Sequence, residues 1–173
     1  CGFGCIPLWH IRRYTMNDIY YLKRAIQISR NSREHGNTPF GALLVDKDGN
    51  ILIEQENVEI TESKCTGHAE TQCVEKASRL YSKDFLAECT LYTTAEPCAM
   101  CSGAIYWAGI GRVVYAMTEK QLLSLTGSDE QNPTFDLPCR EVFARGQKDI
   151  LVEGPFDELA EEAAEVHKGY WNK

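Results

Sequence analysis

Between Thr15 and Glu34, the residues Ile19, Leu22, Ile26 and Ser29 recur three and four positions apart, which predicts a helix with one buried face. Thr15 is a suitable N-terminal cap for it, and Gly36-Asn37 ends it. Two short apolar runs follow, Phe40 to Asp46 and Ile51 to Asn57, separated by Asp48-Gly49-Asn50; this predicts a β-hairpin. After Thr66-Gly67, an apolar stripe of Ala69, Cys73, Ala77 and Leu80 predicts a helix from His68 to Tyr81. Cys89 to Thr94 reads as a strand, and Pro97 opens a helix over Cys98 to Ala108. Arg112 to Ala116 is another strand, and Thr118 to about Leu125 a short helix. Thr126 to Pro138, carrying Gly127, Pro133 and Pro138, reads as a polar loop. Ile150 to Glu153 is a last strand, broken by Gly154-Pro155. Beyond it, Phe156, Leu159, Ala163, Val166 and Tyr170 predict a terminal amphipathic helix. Strands alternating with helices indicate a three-layer α/β domain, and no internal repeat is present.

A chain of 173 residues that is 43% apolar can enclose one core and calls for no second domain. It has no apolar run of about eighteen residues and no charged end followed by an apolar stretch, so a soluble, intracellular protein is expected. The formal charge of -7 works against a polyanionic partner, because phosphate binding needs neutralising lysines and arginines. Arg12-Arg13 and Lys23-Arg24 offer a local basic patch, but a solvated helix face is the simpler reading.

Of eight cysteines, the only tight pair is Cys98 and Cys101, and the expectation is reduced thiols rather than disulfides. Cys73 and Cys89 read as buried structural thiols. Cys1-Gly2-Phe3-Gly4-Cys5 matches no zinc spacing and reads as a flexible extension, while Cys65 and Cys139 receive no role. His10, His35 and His167 lack a second ligand at a useful offset and read as surface or packing residues.

The chemistry concentrates in two segments. His68-Ala69-Glu70 and, thirty residues on, Pro97-Cys98-Ala99-Met100-Cys101 supply one imidazole, two thiols and one further carboxylate. A structural zinc closes its tetrahedron with four ligands, whereas three leave a corner for water, whose pKa the metal lowers to about 7. The inventory therefore favours an open hydrolytic site. A thioredoxin-type redox pair is argued against by the preceding proline and the upstream His-x-Glu. Both segments fall at predicted helix N-termini, where exposed amides favour a thiolate or hydroxide. Glu70 lies one short step from His68 and suits proton transfer. Glu96 is its rival, although an anion held by backbone amides at a helix start is the simpler reading of that residue.

Together, His68-Ala69-Glu70 and Pro97-Cys98-Ala99-Met100-Cys101 resemble the cytidine deaminase-like superfamily of zinc-dependent nucleobase and nucleoside deaminases. Thr38-Pro39-Phe40-Gly41-Ala42, Asn57 and Gly103-Ala104-Ile105-Tyr106 extend the resemblance over about residues 14 to 173, leaving 1 to 13 as an N-terminal extension. The resemblance implies a three-layer α/β/α fold on a five-stranded mixed sheet. It implies zinc on His68, Cys98 and Cys101, proton transfer by Glu70, and ring contacts from Asn57, Phe40 and the backbone of Ala95. It further implies a cytoplasmic homodimer that uses water to release ammonia from a small heterocyclic amine, with no membrane partner.

The Pro39-Phe40-Gly41 and Glu96-Pro97-Cys98-Ala99-Met100-Cys101 segments resemble both guanine-type deaminases and tRNA adenosine deaminases. The acidic charge favours a free base or nucleoside of guanine type over nucleic acid. A tRNA-specific adenosine deaminase is the alternative, and a catalytically silent zinc-binding partner module is the alternative of another class. The run from Thr126 to Asp136 is either a specificity loop or an ordinary solvated loop. Tyr106 and Trp107 read as core rather than substrate platform, and Tyr170 and Trp171 either cap the pocket or dock the last helix.

Overall fold

A computed structural model describes residues 8–172, with side chains from residue 17 onward; the readings made for Cys1, Cys5, His10 and Arg12-Arg13 lie outside what it describes. Its sheet has five strands, β1 (Gly41–Val45), β2 (Ile51–Glu56), β3 (Thr90–Ala95), β4 (Arg112–Met117) and β5 (Leu151–Glu153). Their order is β2-β1-β3-β4-β5. β1 runs antiparallel to both β2 and β3, while β3 with β4 and β4 with β5 pair in parallel. The mixed five-stranded sheet implied by the sequence resemblance is thus present.

The three central strands are buried almost throughout because both of their faces are covered. Their pleat sends Ala42, Leu44, Leu91, Val113 and Tyr115 to one side of the sheet. Leu43, Val45, Tyr92, Val114 and Ala116 go to the other. Helices α1 (Leu8–Glu34) and α7 (Asp157–Glu165) cover the second side with Leu22, Ile26, Leu159 and Ala163. The first side is covered by α2 (Ala69–Leu80), α4 (Ala99–Ala108) and α6 (Cys139–Ala144). Gly41 lets α1 sit directly on β1, since a Cβ there would stand 2.5 Å from the Ala25 carbonyl oxygen and 2.7 Å from the Ser29 nitrogen. At the hairpin turn, Asp46 Oδ1 accepts from the amides of Asp48 and Asn50 at 2.9 Å each, and Gly49 takes φ +90°.

Three expectations need correction, and two elements are additional. The first helix begins at Leu8, so Thr15 is an interior residue rather than its cap; Leu8 to Tyr14 contains no glycine or proline to stop the helix. Leu80 is 67% exposed, because α2 has turned past the sheet by its last residue, leaving Ala69, Cys73 and Ala77 as the buried stripe. The terminal helix ends at Glu165, and residues 166–170 form turns. Two short helices, α3 (Lys83–Leu86) and α6, fall in stretches too brief to show a period. Helix α5 (Glu119–Thr126) lies where a short helix is expected; the structure adds that Thr118 caps it and Gln121 completes a capping box.

Candidate metal centre and pocket

Parallel β3 and β4 both end at the edge of the sheet where α4 and α5 begin, and α2 starts beside them. In open α/β sheets, this C-terminal edge is where ligands bind. His68 and Cys98 occupy the N-cap positions of α2 and α4 in extended backbone, with no capping hydrogen bond from their side chains. Freed from capping, the imidazole and the thiol turn toward a common point. Cys101, one turn into α4, joins them there.

His68 Nδ1 lies 3.6 Å from Cys98 Sγ and 3.5 Å from Cys101 Sγ, and the three ligand atoms fall within 4.8 Å of one another. A tetrahedral zinc about 2.0–2.1 Å from nitrogen and 2.3 Å from sulfur sets N and S about 3.6 Å apart, so the donor set fits that ion. A hydrogen bond from Cys101, together with the His68 imidazole, holds the Cys98 thiol well below its usual range, giving the thiolate that a metal requires. Thr71 Oγ1 donates to Cys101 Sγ at 3.2 Å and fixes its direction.

Glu70 sits outside the ligand cluster, its Oε2 3.8 Å from Cys101 Sγ. Only 6% exposed, its carboxyl is pushed up to about 7 by burial, against the pull of His68. A carboxyl of that character both takes and returns protons near neutral pH.

These groups face a cavity of about 290 Å³, at the lower end of ligand-site volumes and suited to a small heterocycle. Phe40 and Ala95 line it. Phe40 is braced from behind by His167 at 5.3 Å and Trp171 at 6.2 Å between ring centroids. Asn57 is not among the lining residues. It is buried behind Glu59, donating to Glu59 Oε2 at 2.9 Å and accepting from the Glu59 amide at 2.9 Å. Glu59, which sequence reasoning missed, presents its carboxylate to the cavity with Oε1 3.6 Å from His68 Nε2. Despite burial, His68 and Asn57 hold it below the usual carboxylate range.

Glu119, Leu122 and Met100 line the cavity too, and so do Gln131 to Phe135 of the 127–138 loop. That loop therefore borders the pocket. Burial first, then the charges of Cys98 and Glu70, push the Glu119 carboxyl up to about 8. The sequence signal for Glu119 was its place just past a buried strand; for Glu59 it was proximity to Asn57.

Glu96 takes the structural part, but at unexpected helices. Its Oε1 accepts from the Cys139 amide at 2.9 Å and its Oε2 from the Glu119 amide at 3.1 Å, the first residues of α6 and α5. Tyr106 and Trp107 are absent from the lining; Tyr106 accepts from the Gln147 amide, and Trp107 is 73% exposed rather than in the core. Trp171 docks by donating to His167 Nδ1 at 3.0 Å and lines a separate surface cavity.

Residues 15–117 match the family described as the cytidine and deoxycytidylate deaminase zinc-binding region. A probable cytosine deaminase of Schizosaccharomyces pombe is 37% identical over 155 residues, covering 90% of this chain and 93% of that protein. The guanine deaminase of Bacillus subtilis is 43% identical over 102 residues, 58% of this chain and 65% of that one. Among solved structures, one from a study of A-to-I editing by tRNA:A34 deaminases superposes with a TM-score of 0.64 at 24% identity, covering 86% of this chain and 99% of that chain. With its zinc-ligand cluster and a match over more than half its length, the chain belongs to the zinc-dependent cytidine and deoxycytidylate deaminase family.

Proposed function

We propose that this deaminase releases ammonia from the exocyclic amine of a free nucleobase, nucleoside or related amino-heterocycle, with a guanine-type ring favoured. The observation that carries the reading is Glu70, buried beside the three metal-ligand atoms yet outside their cluster, on the wall of a cavity of about 290 Å³. His68, Cys98 and Cys101 would hold a zinc ion, which when bound would supply the Lewis acidity that makes water nucleophilic at neutral pH. Glu70 takes the proton from the attacking water and passes protons to the ring nitrogen and the departing amine. Phe40 stacks on the ring, and the backbone of Ala95 borders the amine. Asn57 serves the ring through Glu59, whose carboxylate it holds at the cavity wall. Oxygen enters the ring carbon from water as the C–N bond breaks, so atoms balance without a redox partner.

A second reading, deamination of adenosine in tRNA, is supported by the likeness in fold to the tRNA:A34 deaminase structure. Against it stand the net charge of -7 and a cavity lined by Glu59, Glu70, Glu96 and Glu119, with no lysine or arginine among the described residues that line it. Ammonia release across guanine, guanosine, cytosine, adenine and aminotriazines, beside a tRNA gel shift at physiological salt, separates the readings. Turnover of a small heterocycle without tRNA binding is expected. Tight tRNA binding with adenosine-only turnover would overturn the small-substrate reading, and no ammonia from any substrate would favour a silent zinc module.

The same reading makes the protein a cytoplasmic homodimer. Support comes from the described cysteines being free and from the exposed Trp107 face on α4. No helix among the described residues is long and apolar enough to cross a membrane.

A further inference from the structure

Among the described residues four carboxylates line the pocket. Glu59 receives the Asn57 side-chain amide, Glu96 receives two helix-start amides, and Glu70 stands beside the metal-ligand atoms as the proton carrier. Glu119 differs from all three. It is 5% exposed and faces the cavity, yet among the described residues nothing donates to its carboxyl. Outside the helix its peptide N–H donates to Glu96 Oε2 at 3.1 Å.

With no donor from the described residues, the little of Glu119 that stays exposed opens to the cavity, where a ligand can meet its carboxyl. Nothing suggests that Glu119 arrives there by loose placement. Thr118 and Gln121 close a capping box around the helix start, and Glu96 pins the Glu119 amide, so the side chain is held at the cavity by its backbone. A ligand N–H is the donor that would complete it. Among the described residues no lysine or arginine lines the cavity, which leaves a phosphate group without a counter-charge from them.

Resting on the deaminase reading above, we propose that Glu119 is the specificity-determining residue of this pocket. It accepts a hydrogen bond from a ring N–H of the substrate other than the departing amine, so the substrate is an unphosphorylated amino-heterocycle carrying such an N–H.

The test compares zinc-loaded wild type with Glu119→Ala and the near-isosteric Glu119→Gln. Probes are guanine and its 1-, 7- and 9-methyl derivatives, cytosine and 1-methylcytosine, and guanosine 5′-monophosphate. Ammonia release gives kcat/KM, and calorimetric binding of the same probes is measured in a Glu70→Ala background. A site built to hydrogen-bond an N–H rejects the analogue lacking it strongly, so in wild type one N-methyl group should lower kcat/KM by about 100-fold or more. In Glu119→Ala that same methyl should matter by less than about 5-fold, and Glu119→Gln, which keeps one acceptor oxygen, should lie between. A merely structural role would lower all probes alike and leave their ratio unchanged.

The inference is overturned if Glu119→Ala, with normal zinc content, keeps the full N-methyl discrimination. It is overturned equally if wild type shows no such discrimination or turns over the monophosphate as fast as the base. Absence of ammonia from every probe would instead refute the deaminase reading. The calorimetric preference for N–H over N-methyl, present in the Glu70→Ala protein and lost when Glu119→Ala is added, would still decide the role of Glu119.

Discussion

Glu96→Ala should loosen both ends of the loop that borders the pocket. The Glu96 carboxylate accepts from the first amide of α5 at 3.1 Å and from the first amide of α6 at 2.9 Å. Between those two helices runs the 127–138 segment, five of whose residues line the cavity. Hydrogen bonds to a charged group contribute about 1.5–3 kcal/mol each, and alanine would leave two buried amides without an acceptor. The loss should be about 3–6 kcal/mol in chemical denaturation, or roughly 6–24 °C in midpoint for a chain of this size. Glu96→Gln keeps one acceptor oxygen and should lose roughly half as much. Zinc content should stay normal in both, since neither touches a ligand, while KM rises as residues 131–135 lose their fixed ends. A destabilisation below about 1 kcal/mol in Glu96→Ala, or an unchanged KM at normal zinc content, would refute the reasoning.

Asp18→Ala should cost about 3–5 kcal/mol in denaturation, because Asp18 accepts from Arg112 at 2.7 and 3.0 Å and from Tyr92 at 2.7 Å, and its removal leaves a mostly buried guanidinium short of its partner. Glu153 also binds Arg112, so a loss below about 1 kcal/mol would mean that it alone suffices. His167 is 3% exposed, and burial, with the Arg33 charge, pushes it down to about 4. The unfolded chain therefore binds a proton between about pH 6.5 and 4 that the folded chain does not, so stability falls as pH drops through that window and levels off below about 4. His167→Phe should flatten that part of the stability profile; an unchanged slope would show that His167 does not govern it.

Local spacing made the metal centre legible before any fold was known. His68, Glu70, Cys98 and Cys101 belong to two short segments, each at a helix start that its own sequence announces. The Asp48-Gly49-Asn50 turn and the short helix from Thr118 are legible for the same reason. What failed depends on tertiary placement. Leu80 fits an apolar stripe by period alone, but only the sheet's extent decides whether that stripe is still covered at its last turn. Glu96 could be assigned to helix-start amides by charge, yet which helices those were follows from β3 lying beside β4. Glu119 reaches the pocket along a different strand from the zinc ligands, so no spacing in the sequence ties it to them. Thr15 suits a cap by residue type, but threonine is also tolerated inside helices, and here the helix continues back to Leu8.

The central claim is that a zinc-binding triad and a separate carboxyl divide the chemistry between them. Its most direct test is to measure metal content and ammonia release together in wild type and Glu70→Ala. Both proteins should carry one zinc per chain, with ammonia released by wild type and lowered by about 100-fold or more in the variant. A wild-type protein purified without zinc, or a Glu70→Ala protein that releases ammonia at the wild-type rate, would contradict the account.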